Sequence, residues 1–329
     1  MRRPRLLFCG LGPIGASTLR YAVQRGDTEV VGGVDIDTAK VGRDLGEIAG
    51  LATPLGLPVH ATLAECLPAG GADIAVLCTH SAVRDVEAQV IELLAAGLNV
   101  VSTCEELSYP YRHHPAESAR IHEAAMRHGA TVLGTGVNPG FVMDLLPIIL
   151  STVCLRVDCV HVRRVVDAGT RRGPLQAKVG AGLSEPEFLR RAESGGLGHR
   201  GLVESVAMIA DALNLPIDEI TEDVRPKLAE RSIGELGSGQ VAGIDQTAQG
   251  FHGGDVLISL RLLVYIGAHD PRDRIVVTGE PCVKATLEGG TPGDHATAAA
   301  VLSAIHPVLD APPGLTTVNR IAGLCCRRP

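Results

Sequence analysis

The sequence predicts an α/β protein: a doubly wound parallel sheet, followed by a smaller α+β domain built on a mixed or antiparallel sheet. Three observations predict it. From residue 5 to residue 134, short β-type runs alternate with helical stretches, as expected of strands joined by crossover helices. A glycine-rich turn, Gly10-Leu11-Gly12-Pro13-Ile14-Gly15, follows the first run and opens the first helix. Beyond residue 134 the rhythm changes to longer alternating runs with long connections. A chain of 329 residues suits two domains at about 100–200 residues each. The expected division is a first domain over residues 1–135, a second over 136–293, and a segment 294–329 that packs back on the first.

Strands of the first sheet are expected at 5–9, 29–34, 59–60, 74–78, 99–102 and 131–133. Helices are expected at 14–24, 38–48, 82–96 and 115–128, with a short turn after Thr62. Ser81 suits the N-cap of the third of these helices, and Pro115 suits the first turn of the fourth. In the second domain, strands are expected at 158–166, 255–266 and 274–287 and a helix at 201–214, with a polar, glycine-rich stretch at 235–254. A last helix is expected at 294–309.

Composition narrows the function. Apolar residues make up 45% and charged residues 20%, enough apolar surface to bury a core and argue against disorder. The net charge of −7 leaves no basic footprint for phosphates, and four Tyr, four Phe and no Trp cannot build a base-stacking platform. Nucleic acid is therefore not an expected partner. The longest apolar stretch, 141–155, is too short for a bilayer and contains Asp144 and Pro147, so no membrane association is expected. The basic start, Met1 to Arg5, is followed by apolar residues only as far as Cys9, so a cytoplasmic location is expected. Nine cysteines without a CxxC pair or a Cys/His zinc spacing read as reduced thiols, and no metal is expected.

The glycine-rich turn points to a Rossmann sheet and a dinucleotide. Gly10 permits the sharp turn, Gly12 removes a side chain from the path of a pyrophosphate, and Gly15 lets helix pack on strand. Pro13 and Ile14 begin the helix whose N-terminus faces the phosphates. Asp35, at the end of the next strand and followed by Ile36, suits the adenosine ribose and favours NAD. Lys40 and Arg43 offset part of that acid's repulsion of a 2′-phosphate, which leaves NADP as the alternative cofactor. Thr79, at the end of the fourth strand, is placed to line the dinucleotide, as are Thr103 and Cys104 after the fifth and Asn138 in the glycine-rich block 134–144. His80, His199, His252 and Lys178 read as ordinary surface or structural residues.

The catalytic candidates are Glu106 and Glu105, which follow the fifth strand at the carboxyl edge of the sheet. An acid there can shuttle protons beside a hydride acceptor, and neighbours on a turning segment diverge, so one of the two is expected to point inward. Tyr109, Phe141 and Met143 fall in the blocks around these positions and are expected in the substrate pocket. Arg164 and Val166 on the strand 158–166 join them, with Arg164 suited either to a substrate carboxylate or to an acid across a dimer.

Five stretches carry a family resemblance. They are the glycine fingerprint, Val34-Asp35-Ile36-Asp37 with Lys40 to Gly46, the block 102–110, the block 134–146, and Gly198-His199-Arg200-Gly201-Leu202-Val203-Glu204-Ser205. Together they resemble 2,4-diaminopentanoate dehydrogenase and the native amine dehydrogenases, within the wider dihydrodipicolinate reductase-like group. The resemblance implies NAD(P)-dependent oxidative deamination of an amine, or the reverse reductive amination of a ketone or aldehyde with ammonia. It also implies a homodimer built on the second domain, and a glutamate as acid/base. A looser similarity to oxidoreductases with a lysine one step further along this loop favours Glu106 over Glu105. Val166 stands where the diaminopentanoate enzymes are expected to carry an asparagine, which favours a small ketone, aldehyde or simple amine as substrate. Two alternatives remain: a dihydrodipicolinate reductase-like reductase of C=N or C=C bonds, and a non-catalytic NAD-binding protein. His113-His114 lie in the approach to the helix 115–128, away from where such a reductase would need its histidines.

Overall fold

A computed structural model describes residues 2–67, 70–170, 173–234 and 236–326, so Glu235 and residues 327–329 of the expected elements lie outside it. The chain forms two compact units, Met1–Phe141 with Pro292–Pro329, and Val142–Thr291.

The first unit contains β1 (Arg5–Cys9), α1 (Pro13–Arg25), β2 (Glu29–Val34), α2 (Leu45–Ile48), β3 (Val59–His60) and α3 (Leu63–Cys66). It continues with β4 (Ile74–Leu77), α4 (Val83–Ala95), β5 (Asn99–Ser102), α5 (Pro115–His128) and β6 (Thr131–Gly134). The second unit contributes α6 (Leu145–Leu150), β7 (Arg156–Asp167), α7 (Gly173–Lys178), α8 (Glu185–Glu193), α9 (Leu202–Leu213), β8 (Glu219–Leu228), β9 (Val241–His252), β10 (Asp255–Tyr265), β11 (Arg272–Glu280) and β12 (Val283–Glu288). The chain then completes the first unit with α10 (Gly293–Asp310) and β13 (Gly314–Thr316).

The first sheet has seven parallel strands in the order β13-β6-β5-β4-β1-β2-β3, with the reversal of winding between β1 and β4. Ligands bind at such a switch point, outside the carboxyl ends of the strands. Its central strands are apolar on both faces because helices cover both: Leu6, Leu7, Phe8, Ile74, Val76, Val100 and Val101 are fully buried. The strand β13 is too short to read from local pattern. It is held on β6 by its ladder and by side chains of α5 and its approach: Tyr111 donates to the Leu315 carbonyl at 2.9 Å, and His122 Nδ1 accepts from the Leu315 amide at 3.2 Å.

The region expected as a helix over 38–48 is mostly turns, and only Leu45–Ile48 is helical. Two local devices prevent the longer helix. Gly42 takes φ +82°, and it and Arg43 pair through their backbones with Val59 instead of continuing a helix. The Asp44 carboxylate then collects the amides of Gly46, Leu55 and Leu57, capping the short helix and fixing the loop beyond it.

The second unit is a six-stranded mixed sheet in the order β12-β11-β7-β10-β9-β8, in which β7 and β10 are parallel and the other neighbours antiparallel. One face carries Val160, Val162, Ile244, Ala248, Ile258, Leu260, Ile275 and Val277 and packs against α9. The run expected as one strand over 274–287 is a hairpin, broken at Pro281, which cannot donate to a ladder. The stretch expected as polar loop over 235–254 contains β9, and β8 has no counterpart among the expected strands. Asp144 is fully buried and caps α6 through the Leu145 amide, while its other oxygen accepts from Ser205 Oγ of α9 at 2.8 Å.

Candidate active site

The glycine turn separates two kinds of glycine. Gly10 adopts φ +84°, and a Cβ there would stand 2.6 Å from the Cys78 carbonyl; one on Gly15 would run into the Gly10 carbonyl. Both are demanded by the packing of β1, β4 and α1. Gly12 is different: its φ is ordinary and nothing in the protein lies within 4 Å of where its Cβ would be. The protein itself does not require a glycine there, whereas a phosphate approaching the N-terminus of α1 does. Pro13 opens α1 and is exposed, with Ile14 half-buried behind it. This arrangement fits a dinucleotide.

Asp35 follows β2 and is 9% exposed, whereas its neighbour Ile36 is 86% exposed. The carboxylate knits the edge together: Oδ2 accepts from the Leu11 amide at 2.7 Å and from Lys40 Nζ at 2.9 Å, and Oδ1 accepts from the Asp37 amide at 2.9 Å. Burial pushes this carboxyl up, but the bonds from Asp37, Lys40 and Leu11 outweigh it and hold it below the usual aspartate range. Arg43, expected to act beside Lys40, is instead paired with Glu47 at 2.6 Å. Thr79 is half-buried and donates to Gln89 Oε1 at 2.6 Å.

The acidic loop begins where β5 ends. Thr103 extends the strand by donating its amide to the Leu77 carbonyl, and the Ser102 hydroxyl accepts the Cys104 amide, turning the chain. Cys104 is fully buried, and burial pushes its thiol well above the ordinary value; the Cys78 thiol is likewise pushed up, to about 12. These thiols stay protonated and are poor nucleophiles. Glu105 is half-buried, and its carbonyl accepts from the amide and hydroxyl of Ser108 in the single 3-10 turn Glu106–Ser108.

Glu106 is held on two sides. Its Oε2 accepts from the Val83 amide at 2.9 Å and stands 3.1 Å from His114 Nε2, with the side chain 12% exposed. The N-cap of α4 is Ala82 rather than Ser81 and offers no side-chain bond, so Glu106 supplies the cap from across the sheet edge. His114, which looked misplaced in the sequence, is thereby brought to the acidic loop. No local pattern signals this contact, because it depends on the turn 109–114 folding back.

Tyr109 is 7% exposed and packs edge-on against Tyr111 with ring centroids 5.3 Å apart. Thr135, after β6, donates to the Ser102 carbonyl and leads into a tight turn in which Asn138 is 8% exposed and Gly140 takes φ +121°. Phe141 is 37% exposed. Met143, Arg164 and Val166 belong to the second unit. Met143 is fully buried, and Val166 is half-buried opposite Val264. Arg164 is 3% exposed and is already met by an acid of its own chain, Asp273, at 3.0 Å, and by the Thr291 carbonyl at 2.7 Å. Among the described residues there is no cluster of three or more His, Cys, Asp or Glu suited to a metal ion. Nor is any described helix long and apolar enough to cross a membrane.

The sequence profile of the 2,4-diaminopentanoate dehydrogenase C-terminal domain matches residues 141–324. The chain belongs to this family. It is 28% identical to 2,4-diaminopentanoate dehydrogenase of Acetoanaerobium sticklandii, over 97% of this chain and 93% of that one. It is 25% identical to the amine dehydrogenase of Streptomyces virginiae, over 93% of this chain and 92% of that one. Its fold is that of the amine dehydrogenase from Mycobacterium smegmatis, with a TM-score of 0.87 at 24% identity, covering 99% of this chain and 98% of that structure. Membership of this family makes the protein an oxidoreductase with a Rossmann sheet.

Proposed function

We propose that the protein is a nicotinamide-dependent amine dehydrogenase that oxidises small amines and, in reverse, aminates a small ketone or aldehyde with ammonia. The observation that carries this reading is the Glu105-Glu106 loop, bonded to the start of α4 at the carboxyl edge of a sheet whose Gly12 faces open space. NAD suits Asp35, and NADP remains the second cofactor. The fingerprint, Asp35, Thr79, Thr103 and Asn138 would hold the dinucleotide, which supplies or accepts the hydride when bound; Cys104, expected beside them, is instead buried in the core with no surface to offer a ligand.

The residues of the chain handle protons and charge. Of the two acids, Glu106 is tied to the helix terminus and His114, which suits it to fixing the loop; Glu105 is assigned the proton transfers. As carboxylate it takes a proton from ammonium, freeing the ammonia that attacks the carbonyl; the adduct shifts one proton from nitrogen to oxygen to become the carbinolamine. As carboxylic acid it returns that proton to the departing hydroxyl, so that water leaves. The restored carboxylate then faces the positive charge of the iminium and stabilises it while it is reduced. Val166 and the neutralised Arg164 favour a substrate without a carboxylate. A homodimer is proposed through the open face of the second sheet, where His161, Arg163 and Arg261 are exposed around Val165, Leu263 and Tyr265. The nine free thiols suit a reducing compartment, the cytoplasm.

The test mixes the protein with NADH or NADPH, ammonium and a panel of small ketones and aldehydes, and follows nicotinamide absorbance. Ammonium-dependent oxidation is expected. Oxidation that proceeds equally without ammonium, or none with any carbonyl, sinks the assignment. Glu105→Gln is expected to lower kcat/KM by about 10²-fold or more, in the range of lost acid–base catalysis. An unchanged rate would move the proton transfers to Glu106.

A further inference from the structure

We propose that Lys40 is the residue that lets this site accept a 2′-phosphorylated dinucleotide as well as the unphosphorylated one, by neutralising Asp35 and offering an N–H to the phosphate. The proposal rests on the cofactor reading above. An acid at the end of the second strand ordinarily excludes the 2′-phosphate, because two anions would meet in a half-buried place. Here that acid is already compensated: Lys40 Nζ stands 2.9 Å from Asp35 Oδ2 and 3.5 Å from Asp37 Oδ2.

Donor and acceptor counting defines what each group can still do. Asp35 accepts three bonds, from Leu11, Asp37 and Lys40, and a carboxylate has about four lone-pair positions, so one remains on Oδ1 for a ribose hydroxyl. The Lys40 ammonium carries three donors, and two are directed at the aspartates. Its contact with Asp37 is the longer one and involves a carboxylate 49% exposed, so an incoming phosphate can replace Asp37 as partner without leaving a buried charge alone. Lys40 itself is 24% exposed, open enough to meet a ligand, and it offsets the Asp35 charge while sharing its own with the more exposed Asp37. Arg43 does not share this role, since it points to Glu47. A lysine, unlike an arginine fork, can rotate one donor to a new acceptor while keeping another on the old one.

The test is binding rather than turnover: NADH and NADPH are titrated into the full-length protein, its Lys40→Met variant and its Lys40→Arg variant, reading nicotinamide fluorescence. The wild type is expected to bind both. Lys40→Met is expected to weaken NADPH by about 10-fold or more, the value of one lost charge-assisted hydrogen bond. It should change NADH by less than about 3-fold, as for a partly exposed ion pair. Lys40→Arg is expected to recover most of the NADPH affinity, and the retained NADH binding shows that each variant is folded. Equal weakening of both dinucleotides, unchanged NADPH binding in Lys40→Met, or a wild type that binds NADH but not NADPH overturns the proposal. A wild type that binds neither overturns the cofactor reading instead.

Discussion

Two aspartate–cation pairs, one in each unit, have nearly the same length and opposite characters. Lys40 and Asp35 are 2.9 Å apart with side chains 24% and 9% exposed; Arg164 and Asp273 are 3.0 Å apart with side chains 4% and 0% exposed. The difference lies in what surrounds them. At the edge of the first sheet, water and ligand reach the lysine, so its partners can be exchanged. In the second unit Asp273 Oδ2 accepts from Arg164 and from both the amide and hydroxyl of Thr291, which ties β7 and β11 to the end of that unit. Distance alone therefore says little about an ion pair. Accessibility decides whether it recognises a ligand or holds the fold.

The strongest way to break this comparison is Asp273→Ala, which breaks a buried ion pair by removing the carboxylate 3.0 Å from Arg164 and should cost about 3–5 kcal/mol, read from urea unfolding. A loss below about 1 kcal/mol, the range of exposed pairs, would show that the buried pair is not structural. The His114–Glu106 pair, with side chains 15% and 12% exposed, has its histidine intermediate between Lys40 and Arg164 in exposure. Glu106→Ala should cost about 1 kcal/mol through the lost cap on α4, while Glu106→Gln, which keeps an acceptor oxygen, should cost clearly less. An equal cost in the two variants would remove the capping role. Lys40→Met should have the smallest effect, less than about 1 kcal/mol.

That last difference has a defined pH window. Burial raises the Asp35 carboxyl, and its hydrogen bonds lower it further than burial raises it, so its contribution is complete above the unfolded value near 3.8 and is lost as pH falls through the lower folded value. For Lys40, burial lowers the ammonium while Asp35 and Asp37 raise it more, so its contribution is complete below 10.5 and is lost as pH rises through the higher folded value. The stability gap between wild type and Lys40→Met should thus be flat around neutrality and close at both extremes. A gap that does not narrow at all as pH falls below the unfolded carboxyl value of 3.8 would mean that Lys40 stabilises by packing of its stem.

Legibility from sequence followed the range of the interactions. The strands 5–9, 29–34 and 99–102 and the helix 115–128 were readable because apolar runs, Pro115 and the glycine fingerprint are local signals. Apart from the break at Pro281 and the Arg43–Glu47 pair, which are local, the failures depended on distant partners. The 38–48 region is helical by pattern, yet Val59 and the Asp44 loop claim its backbone. In β9, Gly243, Asp245, Gln246, Thr247 and Gln249 hide a central strand whose burial is set by β8, β10 and α9. Ser81 looked like the cap of α4, but the bond comes from Glu106.

By itself, the sequence determined the fold class, the fingerprint turn with its acid at the end of β2, and the acidic pair after β5, because strand alternation, glycine conformation and residue type act over a few neighbours. Only the tertiary structure decided which cation Asp35 keeps, that Arg164 is spent on Asp273, and that Glu106 is bound to α4 and His114. Those pairings are choices among chemically equivalent partners, and a charge selects among them by the distance and burial that packing alone imposes.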